Sequence, residues 1–294
     1  MKRPPESAAM QMKKMIDILR ALPLLLLAGN AAAQPLGIAY CDADHLYDTI
    51  PSLFYNDTDY TPQGRLHWNT ARYRRKVAQT AALVDSLGLP LVALWSVENE
   101  AVVRDIAAAC EGGYVYLHRT LNSLDGMDFA LLYYGDMFFP HYTEPGRRYL
   151  YVEGALRRPV GRWPKQRFRT DTVGLVLCSD PRMAGWVVKE LRDERPGAKL
   201  VVMGRLPGRG LEKYGLRDVL APAERAGRGN VRNRSGWRLR DRIAVDTAMR
   251  SAGGDIYIRR FLLDRTESRP LPAFDRSRYA GGTSYALPVY VYIE

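Results

Sequence analysis

The stretch KLVVMGRLPGRG, residues 199–210, reads as a buried strand running into a turn. Leu200, Val201, Val202 and Met203 form the apolar run, Gly204 ends it, and Pro207, Gly208 and Gly210 break the chain direction. In layered α/β proteins the chemistry sits at the carboxyl ends of such strands. Here that place is taken by Arg205, a guanidinium, with Pro207 two residues on.

Working outward, further segments alternate between strand and helix patterns. Residues 36–40, 91–97, 114–118, 127–134, 149–152, 173–178, 242–245, 255–263 and 287–293 read as strands. Residues 69–87 repeat Tyr73, Val77, Ala81 and Val84 at helical spacing and stop at Gly88. Residues 98–110 and a segment from Pro181 to about residue 194 read as two more helices. Residues 156–169 read as a basic loop, and residues 223–240 as irregular. Some helices follow strands, and other strands follow each other directly. That mixture predicts mixed sheets with helices on their outer faces.

The chain has 294 residues, 47% hydrophobic and 26% charged, enough for a sizeable core. Lys13 and Lys14, the apolar run ALPLLLLA at 21–28 and Ala31-Ala32-Ala33 form a secretory signal pattern over residues 1–33. The apolar run is too short to span a bilayer. The expectation is therefore an exported protein, periplasmic or secreted, with a single domain over 34–294 and no membrane span. The formal net charge is +11, of which residues 1–33 carry +3 and the remainder +8. Such a surface favours polyanions. Three cysteines are too few for a disulfide scaffold, and no Cys/His spacing suggests zinc.

Six ordered motifs point further: Asp42-Ala43-Asp44-His45-Leu46-Tyr47-Asp48; Thr61-Pro62-Gln63-Gly64 with Trp68 and Arg72-Tyr73-Arg74-Arg75-Lys76; Ala93-Leu94-Trp95-Ser96-Val97-Glu98-Asn99; Gly126-Met127-Asp128-Phe129-Ala130-Leu131-Leu132-Tyr133; Cys178-Ser179-Asp180-Pro181-Arg182; and Ser284-Tyr285-Ala286-Leu287-Pro288-Val289-Tyr290. In this order they resemble the endonuclease/exonuclease/phosphatase superfamily of metal-dependent phosphoesterases, over nearly all of the chain from residue 36. The resemblance implies a four-layer α/β sandwich, two packed mixed β-sheets flanked by helices. It also implies a divalent metal, Mg or Mn, held by carboxylates and an amide, with a carboxylate-oriented histidine at the phosphate.

Set against that pattern, the catalytic positions differ. The first-strand Asn is Asp42, the metal Glu is Ser96, and a later His is Ser179. The G-D-F-N pair becomes Arg205 and Pro207, and the closing Asp-His becomes Tyr285-Ala286. Asp241 stands where the family's orienting Asp does. The expected reading is a catalytically inactive member that binds or scaffolds an unidentified protein or polyanion, without a cofactor. The rival is a metal-dependent phosphodiesterase, nuclease or phosphatase rebuilt around Asp42, Glu98 and Asp241. An Arg205–Asp241 ion pair is expected to fill the old pocket, since an unpaired buried carboxylate is costly. Arg205, Arg162, Arg167 and Arg238 are the candidate anion contacts. The interleaving of arginines with Trp163, Phe168 and Trp237 suits nucleic acid as one polyanion.

Overall fold

The computed structural model describes residues 35–121, 123–161 and 166–294. The expected signal segment and Arg162 lie outside these. Backbone proximity separates a main body, Pro35–Arg158 with Arg169–Glu294, from a second unit of Met1–Gln34 with Pro159–Phe168. The architecture below is that of the main body.

In chain order the elements are β1 (Leu36–Leu46), α1 (Thr70–Leu87), β2 (Leu91–Val97), α2 (Glu100–Ala109), β3 (Val115–Arg119), β4 (Asp128–Tyr133), β5 (Phe138–Pro145), β6 (Tyr149–Val160), β7 (Arg167–Cys178), α3 (Pro181–Glu194), β8 (Leu200–Arg205), β9 (Leu216–Asp218), α4 (Ala221–Arg225), β10 (Val231–Asn233), β11 (Gly236–Arg238), β12 (Asp241–Asp246), β13 (Ser251–Ile256), β14 (Phe274–Asp275), β15 (Arg278–Tyr279) and β16 (Val289–Ile293). One six-stranded sheet has the order β13-β16-β1-β2-β4-β3, and the other β5-β6-β7-β8-β12-β9. Both are mixed: β1 and β2 pair in parallel, as do β7 and β8, while β16 and β12 join them antiparallel. This is the expected α/β sandwich.

Alternation along the central strands explains the layering. Val201 and Met203 of β8 join the large core with β1 and β2, whereas Leu200 and Val202 meet Val187, Val188 and Leu191 of α3. A strand covered on both faces must be apolar throughout, which is why residues 200–203 show no polar residue. Helix α1 starts on Asn69, whose side chain accepts from the Arg72 N–H at 3.1 Å, and ends on Gly88 in the left-handed region. Asn99 caps α2 and Asp180 caps α3 in the same way.

Three local expectations are corrected. Within residues 156–169, β6 runs on to Val160 and β7 begins at Arg167, so most of the described residues there are strand rather than loop. On β6 the adjacent Arg157 and Arg158 fall on opposite faces, Arg158 buried, and on β7 Arg167 and Arg169 are exposed, so charge on both faces masks the strand pattern. Residues 223–240 are not irregular either, since they end α4 and form the two-stranded β10–β11 ribbon. The strand expected at 255–263 lies instead at Ser251–Ile256, where two glycines hide its strand character. Strand β5 went unseen in the sequence. All three cysteines are free thiols. Among the described residues no helix is long and apolar enough to cross a membrane.

Candidate functional site

The carboxyl ends of β1, β2, β7 and β8 carry Asp42, Ser96, Ser179 and Arg205. Two of these ends are irregular. The β1–β2 register shifts between Asp42 and Leu46, and Asp44 and His45 there take φ of 53° and 57°. Ser96 takes φ 69° at a second shift, between β2 and β4. Non-glycine residues held in this region store strain and persist only where contacts over-determine them. The Ser96 hydroxyl supplies such contacts: it accepts from the His45 N–H at 2.9 Å and donates to Met127 Sδ at 3.2 Å.

Asp42 and Asp241, with side chains only 1% and 2% exposed, are bridged by Arg240. Arg240 Nη2 donates to Asp241 Oδ2 at 2.6 Å and to Asp42 Oδ2 at 2.9 Å, while its Nε donates to Asp241 Oδ1 at 2.9 Å. Asn230 Nδ2 donates to Asp241 Oδ2 at 2.7 Å. Asn230 Oδ1 accepts from the backbone N–H groups of Arg240 and Asp241, which fixes the guanidinium's root. The Tyr285 hydroxyl donates to Asp42 Oδ2 at 3.1 Å and accepts from Arg205 Nη2 at 2.9 Å. Arg205 itself lies 3.6 Å from Asp42.

The electrostatics follow. Burial alone would lower the Arg240 pKa, but the Asp241 and Asp42 carboxylates outweigh it and raise it. Burial, then the Asp42 charge, pushes the Tyr285 phenol up to about 12. Tyr40, whose hydroxyl is buried without a partner, is raised well above its ordinary value by burial and by Asp241 and Asp42.

The expected Arg205–Asp241 pair is thus replaced. The two residues are register partners across β8 and β12. Yet Asp241 gives both oxygens to Arg240, and Arg205 turns to Tyr285 and Asp42. The sequence reading takes residues 223–240 as irregular and assigns neither Arg240 nor Asn230 to the site. Adjacent strand residues point to opposite faces, so a neighbour is a poor candidate partner for Asp241. Arg240 escapes that rule because it precedes β12.

The other candidates fall in different surroundings. The Ser179 N–H and hydroxyl both donate to the Arg148 carbonyl. Ala286 is buried in a bridge to Val231, and Pro207 is half-buried after β8. Arg167 and Arg238 are exposed on β7 and β11. Glu98 accepts from the Asp48 N–H at 2.6 Å and the Tyr55 hydroxyl at 2.8 Å. It lines a cavity of about 500 Å³ with Phe54, Tyr55, Asn99, Leu124 and Asp128. Burial raises its pKa to about 7.

A divalent metal does not fit these residues. Asp42 Oδ1 accepts from the Asp44 N–H at 2.8 Å, so each oxygen of Asp42 and Asp241 already has a donor from the protein. Two guanidinium groups stand within 3.6 Å of Asp42, where a cation would be repelled. Among the described residues no three His, Cys, Asp or Glu side chains converge as a metal-holding group.

A sequence model described as Endonuclease/Exonuclease/phosphatase family matches residues 37–156. No curated protein matches the chain. Among solved structures, the mannosyl-6-phosphatase of Bacteroides thetaiotaomicron aligns at 12% identity over 88% of this chain and 99% of its own, with a TM-score of 0.54. The human Nocturnin catalytic domain with bound sulfate aligns at 10% identity over 88% and 93%, with a TM-score of 0.53. An endonuclease/exonuclease/phosphatase family protein from Bacteroides thetaiotaomicron aligns at 12% over 89% and 96%, with a TM-score of 0.52. At such identities the likeness is one of fold. The family match runs from β1 into β6, less than half of the chain, and the sandwich that continues across the remainder is the fold of these structures, so the chain resembles the endonuclease/exonuclease/phosphatase family in its first part and shares that fold throughout.

Proposed function

We propose that this chain is an exported, non-catalytic member of the endonuclease/exonuclease/phosphatase family, a single domain over residues 34–294 that acts by binding a partner. One observation carries the reading: Arg240 spans Asp42 and Asp241, so a side chain of the protein neutralises the carboxylates that a catalytic metal would need. Ser96, Arg205, Pro207 and Ala286 support it, because none of them supplies the anionic ligand or the base that phosphoester hydrolysis requires. Export rests on the signal pattern in residues 1–33. A polyanionic partner is supported by the exposed β10–β11 ribbon, where Arg232 lies over the Trp237 ring at 5.8 Å beside Arg234 and Arg238.

The test is calorimetric titration of Mg²⁺ and Mn²⁺ into the chain and into Asp42→Ala, beside a panel of phosphodiesters and phosphomonoesters. The expected result is no saturable heat and no hydrolysis. Saturable binding that Asp42→Ala abolishes, together with turnover, overturns the reading in favour of a rebuilt phosphoesterase.

A further inference from the structure

Away from the Asp42 cluster, at the opposite pole of the sandwich, a cavity of about 180 Å³ is lined by Arg158, Arg169, Asp171, Lys199, Arg250 and Glu294, among others. Both sheets build it. Arg158 comes from β6, Arg169 and Asp171 from β7, Lys199 from the residue before β8, Arg250 from the turn before β13, and Glu294 from the end of β16. Strand β8 runs from this pole to Arg205 at the other, a span of about 17 Å at the usual rise per residue.

Four cations, Arg158, Arg169, Lys199 and Arg250, line the cavity against Asp171, the Glu294 side chain and the Glu294 α-carboxylate. Three of the cations share one carboxylate: Asp171 accepts from Arg158 Nη2 at 2.6 Å and from Arg169 Nη2 at 2.9 Å, with Lys199 Nζ at 3.6 Å. Burial would raise the Asp171 carboxyl, but the hydrogen bonds from Arg158 and Arg169 outweigh it and hold it low. Asp171 is therefore already committed, and positive charge is left over.

Arg158 decides what the surplus is for. Its side chain is 5% exposed, and its Nε and Nη1 are buried with no acceptor in the protein. Unmet donors on a buried cation are unfavourable, and their usual resolution is a water or an ion. Each of these N–H groups can donate a charge-assisted hydrogen bond to an oxygen of a phosphate-like group. We propose that this cavity is a site for a compact oxyanion of the phosphate type, bound at the unmet donors of Arg158 with Lys199, Arg169 and Arg250 around it. The site stands whether or not the Asp42 pole turns over a substrate.

The experiment is calorimetric titration of inorganic phosphate into the full chain at low ionic strength. It is repeated with Arg158→Lys, with the rim double variant Lys199→Ala/Arg250→Ala, and with Arg205→Ala. Saturable one-site binding is expected, weakened about tenfold or more by Arg158→Lys and by the rim variant, because both remove charge-assisted contacts. Arg205→Ala leaves it unchanged. The rim variant changes half-buried or exposed side chains and keeps the test valid if Arg158→Lys misfolds. Absence of saturable heat, or binding lost in Arg205→Ala but kept in the rim variant, overturns the site. Glycerol 2-phosphate separates the sources: equal binding identifies the phosphoryl group of an ester, and binding of inorganic phosphate alone identifies the free ion. Both results uphold the site.

Discussion

Arg240 bridges two buried carboxylates with one side chain, and its removal leaves Asp241 with Asn230 alone and no paired cation, while Asp42 keeps Tyr285 and the more distant Arg205. Losing one partner from a buried ion pair costs about 3–5 kcal/mol. Arg240→Ala is expected to lose that much in urea unfolding, and Asp42→Asn in the same chain recovers part of it. A loss no larger than that of an exposed arginine shows that the carboxylates do not depend on Arg240. Glu98 gives a pH signature. Its pKa is about 7 in the fold against an ordinary 4.5, chiefly through burial. The folded chain therefore binds more protons than the unfolded one between these values, and stability falls as pH rises from about 4.5 to about 7. In Glu98→Gln this part of the pH dependence flattens; an unchanged profile of urea midpoints refutes it. The substituted positions could be named from motif order alone. Their partners could not, because Asn230, Arg240 and Tyr285 reach the cluster from separate segments that only the tertiary fold brings together.

Among the elements, β8 shows how much was legible. Its apolar run is set by cover on both faces, so periodicity located it, and β2 was located for the same reason. Strand β6 was cut short because the adjacent arginines Arg157 and Arg158, one of them buried, look like loop composition. The end of β8 also depends on a glycine. Gly204 takes φ 116°, and a Cβ there would lie 2.1 Å from the Cys178 carbonyl oxygen on β7. Gly204→Ala must therefore push β7 and β8 apart or bend β8. The strained conformation alone costs about 1–3 kcal/mol, and the clash adds to it. A clear drop in the thermal midpoint is expected, and a neutral effect contradicts this close approach.

The molecule as a whole is two sheets tied at one pole by the Asp42–Arg240–Asp241 bridge, since Asp42 belongs to one sheet and Asp241 to the other. Motif order was enough for this architecture, because two-sided burial and helix caps write themselves into sequence. The charge arrangement at either pole was not legible, since it depends on which long side chains meet. The free thiols add a further property. Cys41 and Cys178 are fully buried near the two sides of that bridge, and burial pushes the Cys178 thiol up to about 12 and Cys41 higher still. The thiolate is the reactive form, so neither reacts while the packing over it holds; for Cys178 that packing includes α3. Cys110 is half-buried outside this region. A thiol reagent thus labels Cys110 first, and Cys41 and Cys178 only as fast as the packing over them opens. The two silent sulfurs make the chain its own stopwatch, timing the opening of its core without an added probe.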